Sequence, residues 1–150
     1  MEVRSDRDIV LTVVHQYGEA LQYASSELRS DPEVVVAAVT QYGCALQYAA
    51  AELRDHRDIV LAAVTPSAAT FVAQDGRAMR YATDTLRGSH AFVLVAVRRN
   101  GLVLQQAHVQ LRNDRNIVKV DVLQNGRALR YASEKLRNDR GIVLASVLQN

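Results

Sequence analysis

A repeat of about 25 residues runs through the sequence, and it limits the folds open to this chain more than any other feature. Five glycines mark the repeat, and the gaps between them are 25, 33, 25 and 25 residues. Aligned on the glycine, the unit reads approximately G-x-A-L-x-Y-A-S-x-x-L-R-x-D-R-x-I-V-L-A-A-V-x-Q-N. A unit this short cannot bury its own apolar face, so neighbouring units must stack. The marker glycines are Gly18, Gly43, Gly76, Gly101 and Gly126.

The second half of each unit is predicted to be an α-helix. In four copies it begins after an Asp, whose carboxylate can accept hydrogen bonds from the free N–H groups of the first turn. In the third copy, Ile59, Val60, Ala63 and Val64 fall on one helical face. The pair that ends the helix, such as Asn125-Gly126, is expected to supply a positive φ that closes it. The capping residues are Asp6, Asp31, Asp114 and Asp139.

The first half of each unit is predicted to be a second, shorter helix. Ala128, Leu129, Ala132 and Leu136 keep helical spacing, and a helix this short needs packing against its neighbours. The expected fold class is therefore all-α, an α-solenoid of about six two-helix repeats of 25 residues. Runs of β-branched residues, such as residues 9–14, leave an α/β solenoid as the alternative.

The array is interrupted once. Residues 1–64 hold repeats one to three, of which the first is partial, and residues 73–150 hold repeats four to six. Residues 65–72 are an insertion that we interpret as a surface loop, with Phe71 as its candidate contact residue. All repeats are predicted to form one continuous solenoid domain. Because the array opens and stops within a unit and shows no polar capping repeat, we expect a piece of a longer array or a member of an assembly.

Charge is distributed unevenly along the array. Residues 1–64 carry 5 basic and 10 acidic side chains, whereas residues 65–150 carry 13 basic and 6 acidic ones. This asymmetry indicates an acidic partner, nucleic acid, or head-to-tail contact with another copy. In the short helices of repeats four and six, arginines recur at the same two positions and predict a basic stripe. The candidate partner-binding arginines are Arg77, Arg80, Arg98, Arg99, Arg127 and Arg130.

One position of the repeat is Arg in all six copies. An Asp follows two residues later in four of them, so we interpret the position as structural. Each Arg is expected to pair with the Asp of its own or the next repeat and to bond helix-end carbonyls. The alternative is a basic ridge for phosphates or acidic partners. This structural Arg column is Arg4, Arg29, Arg54, Arg87, Arg112 and Arg137.

Repeat five departs most from the pattern. Lys119 stands where other copies have Leu or Val, Asp121 stands where they have Ala, Val or Ser, and Gln106 replaces a Tyr. One interpretation is a helix that is locally rotated or exposed. The other is a polar contact site, because departures from a local rule often mark function. Lys119 and Asp121 therefore join the candidate partner-binding residues.

The sequence offers no constellation that predicts catalysis or a cofactor. Its single cysteine, Cys44, excludes a disulfide framework and a four-thiolate zinc site. The four histidines come from different repeat positions and form no metal-ligand spacing. We therefore predict no catalytic residue, metal or cofactor, and an enzyme using Cys44 or a histidine is the third hypothesis. The sequence contains no membrane-spanning stretch and does not start like a signal peptide, so an intracellular location is expected.

The unit resembles a known family. Residues 125–140, Asn-Gly-Arg-Ala-Leu-Arg-Tyr-Ala-Ser-Glu-Lys-Leu-Arg-Asn-Asp-Arg, are similar to the repeats catalogued as domain of unknown function 4116. The similarity covers nearly the whole chain except about residues 65–72. It implies a scaffold of tandem short helical repeats, a type found in long proteins of microbial eukaryotes and some bacteria. The resemblance carries no activity, so it transfers no catalytic residue.

These observations predict a noncatalytic helical-repeat scaffold that mediates protein–protein interaction, as a structural or accessory subunit of a larger assembly. The alternative function is nucleic-acid or anion binding through the basic second half of the chain. A basic patch without interleaved aromatic residues is weak evidence for single-strand binding. A protein partner is therefore the first expectation.

Overall fold

The structure is a computed structural model that describes residues 3–65 and 76–149. Within these two ranges the regular secondary structure is helical throughout, and no strand occurs in them. The prediction of an all-α fold is confirmed, and the α/β alternative is wrong for this part of the chain. The β-branched runs form helices because each follows a helix-capping residue and buries its Val and Ile side chains between helices.

One long α-helix forms the second half of each repeat. Asp6, Asp31, Asp114 and Asp139 cap four of these helices, because their side-chain oxygens accept hydrogen bonds from first-turn backbone N–H groups. Ser89 does the same for a fifth. The long helices are α1 (Arg7–Gln16), α2 (Pro32–Gln41), α4 (Arg57–Val64), α6 (His90–Arg99), α7 (Arg115–Gln124) and α9 (Arg140–Val147).

The segment that follows each marker glycine is a 3₁₀-helix, not the short α-helix expected from its spacing. Each segment ends at an Ala in extended conformation whose N–H donates to the carbonyl three residues earlier. 3₁₀ geometry is common in such short helical pieces. The 3₁₀ segments are η2 (Gly18–Tyr23), η4 (Gly43–Tyr48), η5 (Arg77–Tyr81), η6 (Val103–Gln106) and η8 (Gly126–Tyr131).

A third, shorter element lies between each 3₁₀ segment and the next long helix, so a complete repeat has three helical pieces rather than two. The element is a single turn or little more and carries the Arg column. It is α-helical in some repeats and 3₁₀ in others, as short helices often are. These elements are η1 (Val3–Ser5), η3 (Leu28–Ser30), α3 (Ala51–Arg54), α5 (Asp84–Gly88), η7 (Leu111–Asn113) and α8 (Glu134–Arg137).

Contacts divide the chain into two compact units, Met1–Thr83 and Asp84–Asn150. In the first unit α1 packs against α2 and α2 against α4, while η2, η4 and η5 pack in sequence beside them. In the second unit α6, α7 and α9 pack in the same order, with η6 against η8. Successive repeats therefore stack within each unit, and the prediction of one continuous solenoid stays a prediction.

Two of the marker glycines, Gly18 and Gly101, are required for close packing. Only Gly76 has a positive φ among the described glycines, at 71°. A Cβ on Gly18 would lie 2.9 Å from Tyr42 Cβ and against the carbonyl oxygen of Ala38, at the end of the next long helix. Gly101 meets the end of α7 in the same way, 2.9 Å from Asn125 Cβ. The expectation that the pair ending the helix supplies a positive φ is therefore wrong for Gly18, Gly43, Gly101 and Gly126.

Candidate partner-binding site

Two of the 3₁₀ segments present paired arginines to solvent. Arg77 and Arg80 are exposed on η5, and Arg127 and Arg130 are exposed on η8. A 3₁₀-helix has three residues per turn, so residues three apart lie on the same side. Each pair therefore forms one basic face, and we call these the arginine faces of η5 and η8.

The arginine faces are held by the tyrosine that follows them. The Arg80 guanidinium carbon lies 5.5 Å from the centroid of the Tyr81 ring, and Arg130 lies 5.8 Å from that of Tyr131. These distances are within the range of a cation–π contact. The contact restricts the side chains of Arg80 and Arg130, so each loses less conformational entropy when it binds an anionic group.

The equivalent faces of the other 3₁₀ segments carry different residues, while their inner sides are alike. The inner side holds the buried pairs Ala45-Leu46, Ala78-Met79 and Val103-Leu104. The inner residues are thus apolar in every repeat, whereas the outer residues differ in charge and polarity. The outer pairs are Glu19 and Gln22 in η2, Cys44 and Gln47 in η4, and Leu102 and Gln105 at η6.

Arg98, Arg99 and Lys119 are exposed on long helices rather than on the 3₁₀ segments. Arg98 and Arg99 occupy the last turn of α6, where positive charge interacts favourably with the helix dipole. Lys119 lies at the outer position of α7, where α2 and α9 carry the exposed Val36 and Leu144. A polar substitution at Lys119 therefore needs no rotation of the helix.

Asp121 does not lie at the surface, so the prediction that it belongs to a partner-binding site is wrong. Its side chain is fully buried on α7, and no group makes a hydrogen bond of normal geometry to either carboxyl oxygen, although the backbone N–H of Leu104 lies near. Burial raises the pKa of Asp121 to about 8, and the backbone N–H of Leu104 offsets only part of that rise. The carboxyl group is therefore neutral at pH 7. The alternative of a rotated or exposed helix is wrong for Asp121 as well.

The Arg column links consecutive repeats through its main chain. The carbonyl oxygen of Arg4 accepts a hydrogen bond of 2.9 Å from the backbone N–H of Ser25, and that of Arg29 accepts one of 2.9 Å from Ala50. Arg54, Arg87 and Arg112 accept equivalent bonds in later repeats. The side chain of Arg4 donates from Nε to the carbonyl of Tyr23 at 3.0 Å, which is the expected helix-end bond. The other Nε atoms that are buried make no hydrogen bond, and they belong to Arg29, Arg54, Arg87 and Arg112.

The capping Asp residues pair with basic residues at the starts of the long helices, whereas the sequence predicts pairing with the Arg column. Arg7, at the first position of α1, donates to Asp31 Oδ2 at 2.9 Å, and Arg115 donates to Asp139 at 3.1 Å. His90 lies 3.3 Å from Asp114 in the same arrangement. In these three helices the basic residue at the helix start, not the Arg column, therefore contacts the capping Asp of the next repeat. The hydrogen bond from Arg7 lowers the pKa of Asp31.

The remaining predicted features lie outside the described part of the chain or do not cluster. Phe71 and nearly all of the 65–72 insertion lie outside the described residues. In residues 3–65 and 76–149, no group of three His, Cys, Asp or Glu side chains could hold a metal ion. Over the same residues, no helix is both long enough and apolar enough to cross a membrane.

Comparison with known families identifies the family to which the repeat belongs. The family described as a domain of unknown function (DUF4116) matches residues 6–54, 37–87 and 114–150. The chain belongs to the DUF4116 family. The segment that the DUF4116 matches leave out, residues 88–113, includes Ser89 and Gln106, which depart from the repeat. A search of curated proteins and a search of solved structures each found no match.

Proposed function

We propose that this DUF4116 protein is a noncatalytic repeat scaffold that binds an acidic protein partner through the arginine faces of η5 and η8. One observation carries the proposal: the inner sides of the 3₁₀ segments are apolar in every repeat, whereas the outer pairs change, and among the described segments only the pairs of η5 and η8 are exposed at both positions. Repeat proteins commonly keep a stacked core and use variable surface positions to recognise partners. The paired arginines are the most charged of these exposed pairs.

The chemistry of the faces fits carboxylates. Guanidinium groups bind carboxylates through two parallel hydrogen bonds, and arginine is enriched in the energetic centres of protein interfaces. Tyr81 and Tyr131 add an aromatic surface beside each outer arginine. An acidic segment of a partner protein could therefore be recognised by both charge and shape.

Nucleic acid is the second candidate, because each pair of arginines presents two positive charges on one side of a 3₁₀-helix. Such pairs can contact neighbouring phosphates. The two tyrosine rings near Arg80 and Arg130 are partly occupied by the guanidinium groups, which leaves less aromatic surface for base stacking. This difference favours an acidic protein over a single strand.

The test is recovery of partners from a lysate of the source organism, with and without nuclease. We expect the same proteins in both arms, and we expect their loss when Arg77, Arg80, Arg127 and Arg130 are all changed to Gln. Recovery that collapses after nuclease would favour the nucleic-acid candidate. Proteins that stay bound to the four-Gln variant would contradict a role for the arginine faces.

A control variant separates the faces from net charge alone. Changing Arg98, Arg99, Lys119 and Lys135 to Gln removes the same number of charges from exposed positions on α6, α7 and α8. If the arginine faces bind the partner, this control keeps it, with a modest fall in the association rate at most. Equal loss of the partner in both variants would show that binding depends only on the overall electrostatic field of the chain.

A further inference from the structure

The arginine face of η8 has a third arginine beside it, which the preceding repeat contributes from the Arg column. The carbonyl oxygen of Arg112 accepts a hydrogen bond of 2.9 Å from the backbone N–H of Ser133, two residues after Tyr131. The guanidinium carbon of Arg130 lies 5.8 Å from the centroid of the Tyr131 ring. Tyr131 therefore has arginines from two consecutive repeats as its neighbours.

The first repeat shows which way an arginine of this column extends from such a main-chain bond. The carbonyl oxygen of Arg4 accepts from the N–H of Ser25, and its Nε donates to the carbonyl oxygen of Tyr23 at 3.0 Å. Ser25 stands two residues after Tyr23, just as Ser133 stands two residues after Tyr131. The side chain in this arrangement thus runs along the end of the next 3₁₀ segment.

The guanidinium group of Arg112 has no acidic partner in the described part of the chain. Its Nε is buried without a hydrogen bond, whereas its two terminal nitrogens are not buried and make no ion pair there. Asp114, the nearest acid in the sequence, is already engaged. One of its carboxyl oxygens caps α7, and the other lies 3.3 Å from Nε2 of His90. The positive charge of Arg112 is therefore available to a ligand.

The arginine face of η5 has an equivalent third arginine, but it also has an acid. The carbonyl oxygen of Arg54 accepts from the backbone N–H of Thr83 at 3.3 Å. The next residue, Asp55, accepts a hydrogen bond from Thr83 Oγ1 through its carboxylate. Beside η8 the equivalent residue is the neutral Asn113, which accepts from Ser133 Oγ at 2.7 Å. The two faces therefore differ by one fixed negative charge.

We propose that Arg112 and the arginine face of η8 form one three-arginine site, and that this site binds a phosphorylated side chain of the acidic partner. The inference rests on the function proposed above and names the chemical group that one of its faces selects. A phosphate monoester carries about −1.5 to −2 charges at pH 7 and three acceptor oxygens, which suit three guanidinium groups. A carboxylate has one charge and two oxygens, so it cannot pair with all three arginines.

The face of η5 is expected to bind the same group more weakly. The carboxylate of Asp55 repels a phosphate dianion more strongly than it repels a carboxylate. The neutral Asn113 imposes no such repulsion beside η8. The phosphorylated position of the partner is therefore expected at the η8 site, and this difference between the two faces supplies a variant for the test.

The test is fluorescence polarisation of a labelled peptide, Gly-Glu-Glu-phosphoserine-Glu-Glu-Gly, with the 150-residue chain. The same peptide with unmodified serine is the comparison. Arg77 and Arg80 are changed to Gln in every chain, so that the measurement reports the η8 site alone. We expect the phosphopeptide to bind about tenfold more tightly than the serine peptide. Arg112→Gln should weaken the phosphopeptide about tenfold and the serine peptide about twofold at most.

Arg87→Gln is the matched control for Arg112→Gln. Arg87 holds the same repeat position in the same unit, and its carbonyl oxygen accepts the equivalent main-chain bond. It differs because it pairs with Asp84 and because η6 beside it carries Leu102 and Gln105 instead of arginines. Its loss should change the affinity for either peptide by less than about twofold. Equal weakening of phosphopeptide binding by both variants would overturn the proposal.

A second variant tests the site with Arg112 in place, so the outcome does not depend on how Arg112→Gln folds. Asn113→Asp gives the η8 site the acid that Asp55 provides at η5, and it should weaken the phosphopeptide more than the serine peptide. Circular dichroism checks that each variant is folded. Equal affinity of the starting chain for both peptides, or an equal effect of Asn113→Asp on both, overturns the proposal.

A double variant distinguishes failure of this site from failure of the function proposed above. If Arg127→Gln with Arg130→Gln abolishes binding of both peptides while Arg112→Gln changes neither, the arginine face of η8 binds acidic peptides and the three-arginine site is refuted. If both peptides still bind the double variant, the arginine face itself has no role, and the proposed function fails together with this site.

Discussion

The two units have the same repeat but different cores. In the first unit, Met1–Thr83, the buried side chains described are hydrophobic, whereas the second unit, Asp84–Asn150, buries Asn100, Asp121 and Ser146 as well. Two of these polar groups are satisfied: Asn100 accepts from the N–H of Leu102, and Ser146 donates to the carbonyl of Gly126 at 3.2 Å. Asp121 is not. The stacking of long helices thus tolerates a buried polar group, at a cost that depends on its partner.

The largest expected effect on stability comes from replacing Asp121, the buried polar residue of the second unit that makes no normal hydrogen bond. In the folded chain the pKa of Asp121 is about 8, against a usual value of 3.8, so between about pH 4 and pH 8 the unfolded chain ionises and the folded chain does not. Stability is therefore lost as pH rises through this window, by roughly 5 kcal/mol in total. Asp121→Ala, the residue found in α2, should remove this loss, measured by urea unfolding at pH 5 and pH 8.

Asp121→Asn is the matched control for this prediction. It has nearly the same shape and cannot ionise, so it should also remove the pH dependence while leaving a buried polar group. Hydrogen exchange should locate the gain of Asp121→Ala in the second unit. A pH dependence that is the same in all three chains would contradict the burial of an uncharged Asp121.

The next largest effect tests how closely the repeats approach in each unit. Gly18→Ala should lower the free energy of unfolding by about 3 kcal/mol, because its Cβ would meet a backbone carbonyl that cannot move alone. Gly101→Ala should cost about 2 kcal/mol, because its Cβ would lie 2.9 Å from Asn125 Cβ, an atom that moves only with the main chain, but would meet no carbonyl oxygen as Gly18 does. Thermal and urea unfolding measure both.

Gly88→Ala supplies the reference for the glycine pair. No atom lies within 4 Å of a Cβ built there, so the change should be neutral or slightly stabilising through lower entropy of the unfolded chain. If Gly18→Ala behaved like Gly88→Ala, the close approach of η2 to the end of α2 would be refuted.

A smaller effect concerns the starts of the long helices. α4, in the first unit, follows His56, which makes no side-chain cap bond, whereas α2 has the capping Asp31. His56→Asp should therefore raise the free energy of unfolding by about 1 kcal/mol. Asp31→Ala should lower it by a similar amount. Urea unfolding of both variants at pH 7 would check whether the two changes are opposite in sign.

The smallest expected effect on the free energy of unfolding concerns Ser146, a buried polar residue that has a hydrogen-bond partner. Ser146→Ala removes one buried hydrogen bond and leaves the Gly126 carbonyl without it, at a cost of about 1 kcal/mol or less. The expected sign is opposite to that of Asp121→Ala, although the two residues hold the same helix position. Stabilisation by Ser146→Ala would mean that the hydrogen bond to Gly126 contributes nothing.

The long helices were predictable because their signals are local. A capping Asp bonds N–H groups two and three residues along the chain, so Asp6, Asp31, Asp114 and Asp139 identify helix starts without knowledge of the fold. The apolar face is likewise read from spacing. The repeat and its DUF4116 family were identified on the same basis, and the family match confirms them.

The candidate site was predicted only in part. Arg77, Arg80, Arg127 and Arg130 were found from their recurrence, and the structure places each pair on one exposed side of a 3₁₀-helix. Asp121 was misplaced because its sequence neighbours do not show whether a helix position is covered by another repeat. The contact between Arg7 and Asp31 was missed for a similar reason, since two arginines per repeat were close enough in sequence to serve.

The repeat, the all-helical class, the starts of the long helices and the uneven charge follow from residue type and short-range spacing, so the amino-acid sequence is enough to predict them. The close approach of Gly18 to Tyr42 and the burial of Asp121 follow only from the folded chain. Each of these depends on atoms brought together from different repeats. Packing distances and desolvation are properties of that assembly, and they set the energies that the local pattern leaves open.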